Sequence, residues 1–219
     1  MKLLLRPARS ALLVCLVTVL SSSAASASIL SFELTGTGDT GADLSAHVQI
    51  VVSTDGSSAT VTVTNTSPLE SGPSGSPDTQ AGDAPILADF GFQADATPAD
   101  LDLAILAPPS RFFDNTGTNS SVGHAGPFAF RVDAVNPAPH RGLGVGDSLV
   151  FELTPRGGFV LNEDLFLNAP LNRKGFLMAA RFMVVGPTGD GSGVATFVPE
   201  PATLALMLLT AVGVLLRRR

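Results

Sequence analysis

The side chains able to do chemistry in this 219-residue chain are few and dispersed. Asp39 with Asp43, Asp95 with Asp100 and Asp102, and Asp190 in a glycine-rich stretch supply hard oxygen ligands of the kind that hold Ca²⁺. None of these groups has the spacing of an EF-hand loop, and aspartates in turns commonly bond to their own backbone. Carboxylate pairs also serve glycoside hydrolysis, but a domain this acidic supplies pairs without specificity. The three histidines are His47, on the polar face of an expected strand, and His124 and His140, in expected loops. Neither His-x-His nor His-Glu-x-x-His occurs, so zinc chemistry has no support. A Ser-His-Asp triad is recognised by geometry and not by spacing. Even so, the chain has no Gly-x-Ser-x-Gly elbow and no Ser-x-x-Lys. The single cysteine, Cys15, lies inside the N-terminal apolar run, which leaves the rest of the chain without a disulfide, a thiol nucleophile or a thiolate metal site.

The elements that would have to position these groups read as strands. Leu44, Ala46, Val48, Ile50 and Val52 alternate with polar neighbours, as in a strand with one buried face. The same period of two recurs in Leu30/Phe32/Leu34, Val61/Val63, Phe128/Phe130/Val132 and Leu149/Phe151/Leu153. It is longest in Phe176/Met178/Ala180/Phe182/Val184, with further short runs at 86–93 and 101–106. Asp55-Gly56 predicts a hairpin pairing 44–53 with 58–65. Helical signal is confined to Asn162–Phe166, a segment able to cap one short turn. Stretches 67–84 and 108–127 read as long loops. About eight strands with turn-rich joints predict an all-β fold, an antiparallel β-sandwich over residues 28–197.

Composition narrows the partners. Between Ser28 and Val198 stand 7 basic and 18 acidic residues, a net charge of about −11. Such a domain is repelled by phosphate backbones, so nucleic acid is not an expected partner. Thirteen phenylalanines with no Trp and no Tyr argue against a lectin that stacks aromatic rings on sugars. They fall mostly on buried-face positions and read as core; Phe112-Phe113, after Arg111, reads as a loop packed onto the domain. Thr60, Thr62, Thr64 and Thr66 form one threonine row, short of the ladder an ice-binding face requires.

The two ends carry signals. Lys2, Arg6 and Arg9 precede an apolar stretch, Ala11–Leu20, and then Ala25-Ser26-Ala27. That order is a secretory signal peptide over residues 1–27, cleaved after Ala27 and served by the Sec translocon and signal peptidase. At the other end, Ala202–Leu216 is an uncharged run of 15 residues. As a helix it spans roughly 22 Å, slightly short of a hydrocarbon core. Arg217, Arg218 and Arg219 resist translocation and act as a cytoplasmic stop. Before the run, Val198-Pro199-Glu200-Pro201 reads as an extended, unpaired segment, because each proline biases its predecessor away from helix.

This C-terminal layout, Val198-Pro199-Glu200-Pro201-Ala202-Thr203, a Leu-rich helix and a terminal arginine cluster, resembles the PEP-CTERM sorting signal over residues 198–219. The resemblance implies an exosortase-type membrane protease as partner and cleavage near Pro-Glu-Pro. It also implies transient anchoring in the inner membrane of a Gram-negative bacterium, then delivery to the cell surface or to extracellular exopolysaccharide. The glycine-rich stretches 142–147 and 186–193 are similar to the ectodomains of many such proteins, which adds a fold expectation and no activity. The expected protein is therefore an exported, non-enzymatic surface or matrix component without a cofactor, structural or adhesive in role. A calcium-dependent, polysaccharide-binding or ice-binding module and a secreted hydrolase are the alternatives.

Overall fold

A computed structural model describes residues 27–69, 84–108, 113–117, 120–135, 142–185 and 189–198. Twelve strands follow in chain order: β1 (Ser28–Gly38), β2 (Asp43–Val52), β3 (Ala59–Asn65), β4 (Ile86–Phe92), β5 (Leu101–Ala107), β6 (Phe113–Gly117), β7 (Ser120–Ser121), β8 (Pro127–Phe128), β9 (Phe130–Ala134), β10 (Ser148–Pro155), β11 (Met178–Val185) and β12 (Gly191–Phe197). A 3₁₀ turn, Gly123–Ala125, and one helical turn, α1 (Asp164–Leu167), complete the described structure. The helical turn falls within the segment expected from the sequence, and Asn162, just before its start, accepts the Leu165 N–H at 3.1 Å. Among the described residues no helix is long and apolar enough to cross a membrane. The expected signal peptide, apart from Ala27, and the expected helix over 202–216 lie outside the described residues.

The strands with clean alternation form as expected. Leu44, Ala46, Val48, Ile50 and Val52 are all buried, and β2 pairs with β3 from Ala46↔Asn65 to Val52↔Ala59. Between them Asp55 accepts from the Ser57 N–H at 3.0 Å, and Gly56 takes φ +67, a left-handed conformation that glycine adopts at little cost.

All pairings between named strands are antiparallel, but the expected two-sheet sandwich is replaced by one continuous sheet. Its order is β5-β10-β3-β2-β1-β12-β11-β4-β9-β6, with β7-β8 as a separate two-stranded ribbon. Hydrogen bonding therefore passes unbroken from one half to the other through β1 and β12. The sheet curls until its halves face each other, and the edge strands β5 and β6 approach without pairing. Phe151 on β10 then meets Phe90 and Phe92 on β4 across the core, at ring-centroid distances of 6.2 and 5.7 Å. Asn65, fully buried, donates from its Nδ2 to Pro85 O at 2.7 Å and Leu143 O at 3.1 Å, tying one half to the other.

Local irregularities move three other expectations. Val184 adopts φ +56 beside a bulge in β11, so Val185 and not Val184 completes the core face of Met178, Ala180 and Phe182. A bend at Ala129 sends Phe128 into a second cluster while Phe130 stays in the main core. The expected loop 108–127 contains β6, β7 and the 3₁₀ turn, and Phe113 is fully buried; Phe112 lies outside the described residues.

Candidate functional site

The second cluster builds a site on the convex face of the sheet. Val122, Ala125 and Phe128 of the β7-β8 ribbon pack on Ala179 of β11, with Phe176 and Val194 at the margin. The ribbon comes this close because β4 carries glycine beneath it. A Cβ at Gly91 would stand 2.6 Å from Val122 Cγ2 and 2.9 Å from the Phe128 ring. The loop after α1 fixes the other side: Asn172 Nδ2 donates to Ala125 O at 2.9 Å, and Lys174 Nζ to His124 O at 2.6 Å.

Between ribbon and sheet lies a cleft of about 300 Å³ lined by Ser121, Gly123, His124, Arg181, Ser192, Gly193 and Val194. Arg181 enters from β11, its stem running beneath Gly123, where an added Cβ would stand 3.3 Å from Arg181 Cδ. Arg181 is half-buried and makes no hydrogen bond or ion pair to another described residue. Its nearest acids are already engaged. Arg131 on β9 grips Asp89 on β4 through Nε and Nη2, both at 2.8 Å, and reaches Asp133 at 2.7 Å. Burial raises the Asp89 carboxyl to about 6 even against the pull of that guanidinium, and raises Asp133 for the same reason.

Asp39, Ser192 and His124 also meet here. Ser192 donates to the Asp39 carboxylate from its backbone N–H at 3.2 Å and its hydroxyl at 3.1 Å. The backbone donor, more than the hydroxyl or nearby His124, holds Asp39 below the usual carboxylate range. A nucleophilic serine gives its proton to histidine, whereas this hydroxyl is turned to the acid directly.

The other residues singled out in the sequence are scattered. Asp39, Asp43 and Asp190 lie at one end of the sheet, and Asp95, Asp100 and Asp102 at the other. Asp100 accepts from the Thr97 N–H and hydroxyl, and Asp102 pairs with Arg156. Both carboxyls are held below their usual range by those partners. Among the described residues no three His, Cys, Asp or Glu side chains are grouped to hold a metal. His47 meets Ser31 at 2.7 Å on the solvent face of β2. His140 lies outside the described residues. Thr60, Thr62 and Thr64 are flanked by Val51, Gln49 and His47 on β2, and by Glu152, Val150 and Ser148 on β10. The row therefore stays single.

The sequence reading missed Arg181, Asp89, Arg131 and Ser192. A signal was present for two of them: Asp89 and Arg181 are lone charges inside apolar strand runs, where a charge is costly unless it has a task.

The cleft extends from the middle of β12 toward its start, away from where the chain leaves the sheet. β12 runs from Gly191 at the cleft to Phe197, whose ring meets Phe32 edge-on at 5.2 Å, and Val198 beyond it is exposed. From Phe197 onward the sequence matches a known family model. Residues 197–219 are a PEP-CTERM protein-sorting motif. The motif implies an exported protein that an exosortase processes at the membrane. Its first residue is thus also the last residue of a ladder inside the sheet. Pro199, Glu200, Pro201 and Arg217–Arg219 of the PEP-CTERM motif, like Ala25 of the N-terminal signal, lie outside the described residues. No curated protein and no solved structure matches the chain.

Proposed function

We propose that this protein is a non-enzymatic component of the cell surface or extracellular matrix of a Gram-negative bacterium, structural or adhesive in role. In this reading residues 1–27 are the signal peptide, 28–197 the delivered domain and 198–219 the sorting tail. The observation that carries it is the direct run of β12 into the PEP-CTERM motif, which makes the curled sheet itself the cargo. The tail is an address in three parts: an extended Pro199-Glu200-Pro201, a short membrane helix and a cytoplasmic Arg217–Arg219 stop. Replacing Glu200 with Ala, or deleting Arg217–Arg219, is expected to leave the protein unprocessed or misplaced in cell fractions. Normal processing of both variants would remove the reading.

A hydrolase has one observation in its favour, the meeting of Asp39, His124 and Ser192 around the cleft. The direct Ser192–Asp39 hydrogen bond weighs against it, because it leaves the hydroxyl without a base oriented to take its proton. A fluorophosphonate probe is expected to leave Ser192 unlabelled. Labelling that Ser192→Ala abolishes would establish the hydrolase instead.

A further inference from the structure

We infer that the cleft beneath the β7-β8 ribbon is a binding site for a carboxylate-bearing sugar, a uronate residue of an acidic polysaccharide. The inference rests on the matrix-facing reading above and names its ligand class. Four features carry it. Arg181 offers a guanidinium with no hydrogen-bonded acid among the described residues; Asp89 and Asp133, both gripped by Arg131, lie within its electrostatic reach without pairing to it. A planar fork of N–H donors matches a carboxylate. The remaining walls suit a hydroxylated ligand: Ser121, His124, Gly123 and Gly193, with Ser192, whose hydroxyl donates to Asp39 and keeps its lone pairs as acceptors, and Val194 the one large apolar contributor. At about 300 Å³ the cleft is at the small end of ligand sites, large enough for a single sugar ring.

Position agrees with this reading. Lys174, in the loop that packs on the ribbon, brings its ammonium to His124 O at 2.6 Å, and the Asp39 carboxylate stands behind Ser192. The cleft also lies toward the start of β12, away from Val198, so a tail held at a membrane leaves it facing outward. A peptide ligand fits less well, since its side chains would find little apolar wall.

The test is a titration of the full chain, in neutral detergent at fixed ionic strength, with D-glucuronate, D-glucose, acetate and a glutamate-rich peptide. Glucuronate is expected to bind at least about tenfold more tightly than glucose or acetate, since glucose lacks the charge and acetate lacks the hydroxyls. Arg181→Gln should weaken glucuronate roughly ten- to hundredfold, and His124→Ala roughly three- to tenfold, with melting temperatures showing that each variant folds. Should Arg181→Gln fail to fold, exposed His124 decides the question. Equal affinity for glucose or acetate, tighter binding of the peptide, or undiminished binding by both variants would overturn the site. Processing of the sorting tail is read separately, so a failure of binding is distinguishable from a failure of the sorting reading.

Discussion

Asp89 is a carboxylate on a strand whose every residue is buried, and Arg131 is what makes it tolerable. Burial raises its folded pKa to about 6, against roughly 3.9 in an unfolded chain. A raised folded pKa means that the stabilising contribution is complete below about pH 4 and is lost as pH climbs through 6. At neutral pH the ionised form therefore depends on its guanidinium. Arg131→Met should cost about 3–5 kcal/mol in urea unfolding at pH 7.5, because a buried charge loses its principal partner. At pH 5, where Asp89 is largely protonated, the cost should be smaller. An equal cost at both pH values would show that Arg131 does not act through Asp89. Asp133 and Arg181 face the same carboxyl, from β9 and β11, and moderate the shift in opposite senses.

At the scale of elements, the facing aromatics explain why a curled sheet holds its shape without Trp, Tyr or a disulfide. Phe90 and Phe92 share one face of β4. Phe92 stacks on Phe130 of the neighbouring strand at 4.9 Å and on Phe151 from the opposite half at 5.7 Å. Phe151 is fully buried within the main core cluster, so truncating it leaves a cavity there. Phe151→Ala should therefore destabilise by about 3–5 kcal/mol, measured by thermal or denaturant unfolding. A loss below 1 kcal/mol would mean that the two halves are not held by this contact. Thr62→Ala, on the solvent face of β3, is the control and should change stability by no more than about 0.5 kcal/mol.

For the whole molecule, the absence of a linker sets a geometric limit. Four residues, 198–201, separate the end of β12 from the apolar run that opens at Ala202. Fully extended they span at most about 14 Å. With 202–216 as the proposed membrane helix, the headgroup layer takes up roughly 5–8 Å of that, and the folded domain would be held close to the bilayer. On the proposed cleavage near Pro-Glu-Pro, the protease would work against the end of the sheet that carries Ser28 and Val198. Inserting ten Gly/Ser residues after Val198 should speed processing in a pulse-chase experiment and leave the melting temperature unchanged. An unaltered rate would show that the sheet end is no obstacle.

Alternation along β2, β3 and β10 was enough to read an antiparallel all-β domain, because a strand half-buried in an antiparallel sheet must alternate. The sorting tail was equally legible, since its proline pattern, apolar run and arginines act through local composition. Other features depended on pairings distant in sequence. Joining β1 to β12 brings together residues more than 150 positions apart, and that one ladder turns two expected sheets into a single curled one. The bulge at Val184 and the bend at Ala129 change which face a side chain occupies, and period-two patterns carry no mark of either. The cleft depends on the same long-range contacts: Arg181, His124 and Ser192 meet only because the ribbon folds back over β11 and β12. Local pattern reports which side of a strand faces solvent. Which strands become neighbours, and hence which polar groups share a pocket, is settled by closure of the core.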